Sequence, residues 1–297
     1  MVKDNSISSK VLTFIVHIVM LIVIIVTLYP VLHICASSFS SASANDRGIV
    51  GILPKEFNLD AYKMIWEARL VPKSLINSVI YTVIGTIVNL SLTGSLAYAL
   101  SRKNLALRGL YTWIVIIPMY FSGGLIPSFL LVRNLHLYNT IWALILPGAI
   151  SVTNLIIMRS FFQNIPQELE ESALIDGAND FVIFWNIILP LSKAAICTIG
   201  LYYAVGHWNS WFSSMVYLKD TDKYPLQMIL RQVVIQTSSI QEAAQTGDTS
   251  AMGNLGLVNV TAVKYATLFI SIFPMLIIYP FLQKYFMKGV MLGSLKG

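Results

Sequence analysis

Glu168, Glu170, Glu171 and Asp176 fall within nine residues of one another in the stretch Ile165-Pro-Gln-Glu-Leu-Glu-Glu-Ser-Ala-Leu-Ile-Asp-Gly-Ala178, which runs on to Ile187-Ile-Leu-Pro190. Carboxylates so grouped could move protons or hold a metal, but either task needs partner groups at catalytic or ligand spacing. The segment offers no such constellation. Cys35 and Cys197 sit inside apolar stretches without a CxxC or Cys/His pattern, and His17, His33, His136 and His207 are isolated from one another. No residue is assigned to catalysis, and none to a metal.

The same residues suit contact better than catalysis. Pro166 fits the first turn of a helix, and the acids that follow lie near the positive end of its dipole. The spacing predicts a short helix over about 166–178. Four residues apart, Ala173 and Gly177 would share one helical face of almost no bulk, with Leu169, Leu174 and Ile175 around it. Two readings stand on the residues alone: a connector helix lying on a membrane surface, and a docking helix that seats in another protein.

What positions this segment follows from composition. Of 297 residues 56% are hydrophobic and 11% charged, with mean hydropathy +0.70, whereas soluble domains carry about 25% charged residues. The net charge of +6 comes from basic residues scattered singly, so nucleic-acid binding is excluded. About 20 apolar residues cross the hydrocarbon, and six blocks are long enough: 11–37, 75–100, 108–132, 138–161, 194–218 and 262–286. All fourteen Asp and Glu residues lie outside them, as the cost of a charge in lipid requires. The reading is a single all-α, polytopic membrane domain of six spans. The first block exceeds the length of a signal-peptide core and is read as retained.

Arg102, Lys103 and Arg108 crowd the second connection, while the third carries Arg133 alone. By the positive-inside rule both termini are then cytoplasmic, as are the 162–193 connection and a tail over 287–297. Pro118, Pro127, Pro147, Pro274 and the pair Gly123-Gly124 interrupt several spans. In the outer 219–261 segment, Leu226, Ile229, Leu230, Val233 and Val234 form a helical stripe after Pro225.

Glu171-Ser-Ala, three residues, Gly177, nine residues, then Ile187-x-Leu-Pro190 resembles the EAA signature of binding-protein-dependent ABC permeases, with Ser172 in place of the first alanine. The flanks Pro166-x-Glu168-Leu169 and Ile175-Asp-Gly-Ala178 look like the carbohydrate-uptake branch. The end of the chain, Tyr279 to Gly297, together with Asn77-Ser78 and Gly206-His-Trp-Asn209, resembles the maltose-type second permease and, more closely, the LplC/YtcP group.

That resemblance implies a type I ABC importer permease fold in a bacterial cell membrane. Glu171, Ser172, Ala173, Asp176 and Gly177 would dock on a nucleotide-binding subunit, and Ile187, Leu189 and Pro190 would turn the chain into the fifth span. Gly293, Lys296 and Gly297 would reach toward the ATPase dimer. Met119, Tyr120, Tyr203, Trp208 and Asn209 are candidates for a sugar pathway, or, for the aromatics, an interfacial belt. No G-x-x-x-x-G-K-[ST] occurs, so no cofactor is expected on this chain; ATP and Mg would be used by a separate ATPase dimer. A second, non-identical permease, an extracytoplasmic solute-binding protein and membrane lipid complete the expected partners. The alternatives are a permease for a peptide or polyamine and an ion-coupled secondary transporter, the latter disfavoured because no span holds a carboxylate.

Overall fold

The computed structural model describes residues 6–246 and 260–294, with side chains at 6–239 and 260–280. Its elements are helices joined by turns, with one isolated bridge between Ser40 and Phe57. They are α1 (Ile7–Ser38), α2 (Ala42–Asp46), α3 (Asp60–Glu67), α4 (Leu70–Ser101), α5 (Arg108–Tyr120), α6 (Leu125–Asn134), α7 (Trp142–Ile145), α8 (Val152–Gln163), α9 (Gln167–Ile175), α10 (Asp180–Ile183), α11 (Leu189–Leu191), α12 (Lys193–Trp208), α13 (Trp211–Tyr217), α14 (Leu226–Thr246) and α15 (Val260–Ser294).

Ile7–Ser38, Leu70–Ser101 and Val260–Pro280 are each long and apolar enough to cross a membrane. The expected spans 108–132 and 138–161 are bent pairs, and a third bent pair begins at Asp180, ahead of the expected 194–218 block. Arg108–Tyr120 and Leu125–Asn134 meet at 119°, Trp142–Gly148 and Val152–Gln163 at 58°, and Asp180–Leu191 and Lys193–Trp208 at 83°. Among the described residues the count is three, or up to six when each bent pair is one span. Backbone chemistry sets the breaks: the Gly123-Gly124 pair separates α5 from α6, a turn of 3-10 helix containing Pro147 follows α7, and Pro190 precedes α12. A proline removes a ladder hydrogen bond and crowds the carbonyl four residues back. The block expected over 194–218 is likewise two helices, divided at Asn209-Ser210.

Contacts group the chain into two compact units, Met1–Val71 with Gln232–Phe273, and Pro72–Arg231 with Pro274–Gly297. In the first, α1 exposes its apolar residues over most of its length, as a helix solvated by lipid does, and Thr13 and Thr27 return their hydroxyls to backbone carbonyls one turn back. The helix ends in a knot where Phe39 packs on Phe57, Tyr62 and Phe269 and the Ser40 hydroxyl bridges Ala36 O and the Lys55 N–H.

In the second unit, α4 is the organising element. At one end Asn77 Nδ2 donates to the carbonyls of Asp222 and Tyr224 (2.8 and 3.2 Å), and the Leu226 N–H donates to Ser78 Oγ (2.7 Å). The Asn77-Ser78 pair therefore fastens the start of α14, whose Leu226 and Ile229 are buried as the stripe predicted. Beside it Asn139 gathers the 217–220 turn, accepting from the N–H groups of Lys219 and Asp220. Its amide, and then Lys223, hold the Asp220 carboxyl below the usual range.

Midway, α4 packs on α12. At Gly85 the His207 ring lies so close that a Cβ would stand 2.5 Å from its Nε2. Small residues of this kind let membrane helices approach closely enough for dispersion and hydrogen bonds to hold them. Asn89 Nδ2 reaches His207 Nε2 at 3.1 Å, and Thr93 Oγ1 meets the Tyr203 hydroxyl at 2.6 Å. The core of this unit continues through Leu100, Leu155, Met158, Ile183 and Ile188, all buried.

Candidate functional site

The segment singled out by its acids is a helix, and its limits follow from its ends. Pro166 (φ −56°, ψ 130°) precedes the first turn, which carries Glu168 and Glu170, so the dipole is met by carboxylates. The Ser172 hydroxyl donates to Glu168 O at 2.8 Å and asks nothing of the surroundings. Ser172→Ala is therefore expected to leave stability and uptake within the range of a neutral surface change, about 0.5 kcal/mol. A loss of activity without a loss of protein in the membrane would show that the hydroxyl has a partner in the assembled complex.

The far end corrects the sequence reading. The helix stops at Ile175, not at 178, and Gly177 lies beyond it with φ +81°. Gly177 N–H donates to Leu174 O (3.0 Å) and Ala178 N–H to Ala173 O (2.9 Å), the two bonds of a Schellman cap. Glycine is needed because left-handed backbone costs other L-residues about 1–2 kcal/mol. Ala173 and Gly177 thus do not share a helical face. Ala173 and Ala178 pack against the core, while nothing stands within 4 Å of a Cβ at Gly177. The four-residue spacing had read a cap as a helical position.

Outward, α9 presents Leu169, Leu174 and Ile175 among the exposed Glu168, Glu171 and Ser172, and α10 adds Phe181. Ile175 is 87% exposed and Phe181 71%, with Leu174 beside them also open to solvent. Glu171 and Leu174 line a cleft of about 800 Å³ between α9 and the turn 102–106. Asp176 caps the helix and is exposed.

Residues that the sequence treated only as topogenic charge hold α9 in place. Arg102, at the end of α4, forms an ion pair with Glu170 of α9, both side chains being largely buried. The guanidinium lies over the Tyr98 ring at 4.2 Å and also donates to the Tyr98 hydroxyl. That hydroxyl in turn donates to Asp180 O (3.2 Å), past the C-terminal cap of α9. Lys103 Nζ reaches Gln167 Oε1 at 3.2 Å, and the Tyr98 ring contacts Phe184 with centroids 4.9 Å apart. The end of α4 and the two residues after it thus hold the first turn of α9, at Gln167 and Glu170, and the start of α10, at Asp180. The Tyr98–Arg102 spacing of one helical turn was visible in the sequence; Glu170, 68 residues away, was not a partner that spacing could name.

After α9, Asn179 caps α10 by accepting from the Val182 N–H (2.9 Å). The chain then widens to a π-helical turn, Phe184–Ile188, in which Leu189 N–H reaches back to Phe184 O. This removes the clash that the Pro190 ring would make with a tighter turn. Ile187 and Leu189 are half-buried, and the 83° corner into α12 follows directly. Leu189 and Pro190, expected to turn the chain into the fifth span, lie just before this corner.

The expected pathway residues are not brought together. Tyr203 is buried, its hydroxyl shared between Thr93 and the Ser151 N–H (3.0 Å). Trp208 is buried at the end of α12. Met119 and Tyr120 are exposed at the α5–α6 bend, and Asn209 caps α12, its amide turned back to Val205 O (3.0 Å). Trp208→Ala is expected to reduce the amount of folded protein in the membrane, since large aromatic truncations in a core cost about 3–5 kcal/mol, without changing preference among sugars. An altered preference at normal protein level would return Trp208 to the pathway. Gly293 falls within α15, and Lys296 and Gly297 lie outside the described residues.

Apolar helices long enough to cross a membrane, some broken within a span, with a short carboxylate-bearing helix between two of them, are those of a polytopic membrane protein. The chain belongs to the family of binding-protein-dependent transport system inner membrane components, whose model matches residues 90–292. It is 45% identical over 273 residues to the polygalacturonan/rhamnogalacturonan transport system permease protein YtcP of Bacillus subtilis, covering 92% of this chain and 94% of that one. It is 45% identical over 272 residues to protein LplC of the same organism, covering 92% and 90%. Among solved structures, a bacterial ABC transporter involved in import of the acidic polysaccharide alginate matches with TM-score 0.85 and 32% identity over 95% of this chain and 99% of that one.

Proposed function

We propose that this chain is one of two non-identical permease subunits of a bacterial ABC importer for oligosaccharides, and that α9 is the coupling helix by which a separate ATPase dimer moves it. The observation that carries the reading is mechanical. α9 offers exposed Leu174 and Ile175 outward, with Phe181 of α10, while Arg102, Tyr98 and Lys103 fasten the segment to a helix that itself bonds α12. A helix held at its first turn, with the start of the next helix tied to the same place, passes on a push; a loose surface connector would absorb it. Glu171, Ser172, Asp176 and Gly177 lie on or beside this outward part, and an extracytoplasmic solute-binding protein delivers the cargo.

The saccharide assignment is supported by the relatives, one named for polygalacturonan and rhamnogalacturonan and one solved for alginate import. Uronic-acid oligosaccharides are the first substrates to test. With the assembled complex in vesicles, uptake is expected to need both ATP and the loaded binding protein. Uptake of peptides or polyamines in place of sugars would favour the other solute classes. Transport driven by an ion gradient without ATP would overturn the proposal.

A further inference from the structure

Behind Arg102, a cavity of about 390 Å³ opens between the α4–α5 turn and the α8–α9 turn, with Ser101, Lys103, Arg108, Gln163 and Gln167 among its walls. Three cations line it against one carboxylate, Glu170, which Arg102 already neutralises. Among the described residues, Arg108 spends only its Nε, on Leu100 O (3.0 Å). Arg159, one turn before Phe162 on α8, is close enough to Arg108 for the two charges to repel. The Nε atoms of Arg102 and Arg159 are buried without partners. Like charges gathered beside a low-dielectric region raise the potential steeply, and this group holds more positive charge than its own acid can offset.

A second feature begins at the same turn. Leu107, Leu110, Tyr111, Ile114 and Ile117 form an exposed apolar stripe down α5. At 1.5 Å per residue these ten steps span about 15 Å, which is half of a hydrocarbon core of about 30 Å, the depth of one leaflet. A cationic, polar-walled cavity at the head of a leaflet-long apolar track has the chemistry of a single amphiphile.

We infer that this cavity seats the phosphate of an anionic phospholipid, with its acyl chains along the α5 stripe. Lys103 and Arg108 supply the charge, the Gln163 amide supplies a hydrogen bond, and the stripe supplies the hydrophobic contact that free phosphate could not use. Basic pockets among membrane helices commonly take lipid headgroups in this way. The inference does not depend on how the importer is driven, and its test reads lipid retention instead of transport.

The full-length chain, purified in detergent within its complex, is offered phosphatidylglycerol or phosphatidylcholine, and bound lipid is counted by native mass spectrometry. Wild type is expected to retain phosphatidylglycerol over phosphatidylcholine by roughly tenfold or more. Lys103→Gln with Arg108→Gln should lose that preference, whereas Lys63→Gln with Lys219→Gln, which removes the same charge elsewhere, should keep it. Lys103→Gln alone, with an intermediate preference, serves if the double variant does not fold. Leu110→Asn with Ile114→Asn should weaken retention through the acyl track. Equal retention of the two lipids by wild type, or an unchanged preference without Lys103 and Arg108, would overturn the site. Displacement by millimolar inorganic phosphate, with retention indifferent to the α5 changes, would overturn the lipid assignment in favour of a free anion.

Discussion

Arg102→Glu is expected to cut ATP-driven uptake at least about tenfold while the polypeptide still reaches the membrane. The change places two carboxylates where an ion pair stood and removes the cation from the Tyr98 ring. Breaking a well-buried pair costs about 3–5 kcal/mol, and an exposed one 1 kcal/mol or less. This pair, largely but not fully buried, falls between, and about 1.4 kcal/mol is already a factor of ten. Because the loss falls on the seating of α9 and not on the hydrophobic bundle, insertion is expected to survive. Adding Glu170→Arg restores opposite charges and should recover a substantial part of uptake. Recovery should be incomplete, because a glutamate at 102 cannot stack on Tyr98. The discriminating readout is stimulation of ATP hydrolysis by the loaded binding protein, measured beside basal hydrolysis. The single variant should lose the stimulation and the double variant regain some of it. If Arg102→Glu transports normally, the clamp transmits nothing.

Gly177→Trp is expected to abolish coupling, and the comparison with Gly177→Asn separates two reasons why a glycine stands there. Asparagine tolerates left-handed backbone better than most residues, so Gly177→Asn should keep the Schellman cap and retain most uptake if conformation alone matters. Nothing within this chain would meet a side chain at 177. A loss in the tryptophan variant beyond that of Gly177→Ala, which bears the left-handed strain without the bulk, would come from a surface outside the chain. Uptake, membrane protein level and ATPase stimulation together check this. Equal activity in the two variants, at equal protein level, would mean that no partner approaches the cap.

The elements most legible in the sequence were those governed by one dominant rule. Lipid as solvent fixes the apolar blocks, and the absence of Asp and Glu from them located the helices to within a few residues. The acids of 168–171 and Pro166 marked the start of α9 correctly, and Pro190 marked the corner into α12. The bends were legible in place but not in size: Gly123-Gly124 flagged a weak ladder, yet nothing local specifies 119° over a hairpin-like break, because the angle is set by what each half packs against. Gly177 was misplaced for a related reason, since i and i+4 look the same in sequence whether the helix continues or is capped. Tyr203 and Trp208 were read as a possible sugar surface or an interfacial belt from residue type alone; their burial is a tertiary quantity that residue type does not carry. The Arg102–Glu170 pair was invisible because long-range pairing leaves no periodic trace.

The account rests on α9 being the handle through which another protein's ATP hydrolysis moves this bundle. A single cysteine in place of Ile175, introduced with Cys35 and Cys197 changed to serine, tests it in inverted and right-side-out membrane vesicles carrying the whole importer. The predicted result is labelling from the cytoplasmic side only, and a short-range crosslink to an ATP-hydrolysing subunit whose yield changes when ATP is bound. Labelling from the outer face, or crosslinks to lipid and to the permease subunits alone, would contradict it.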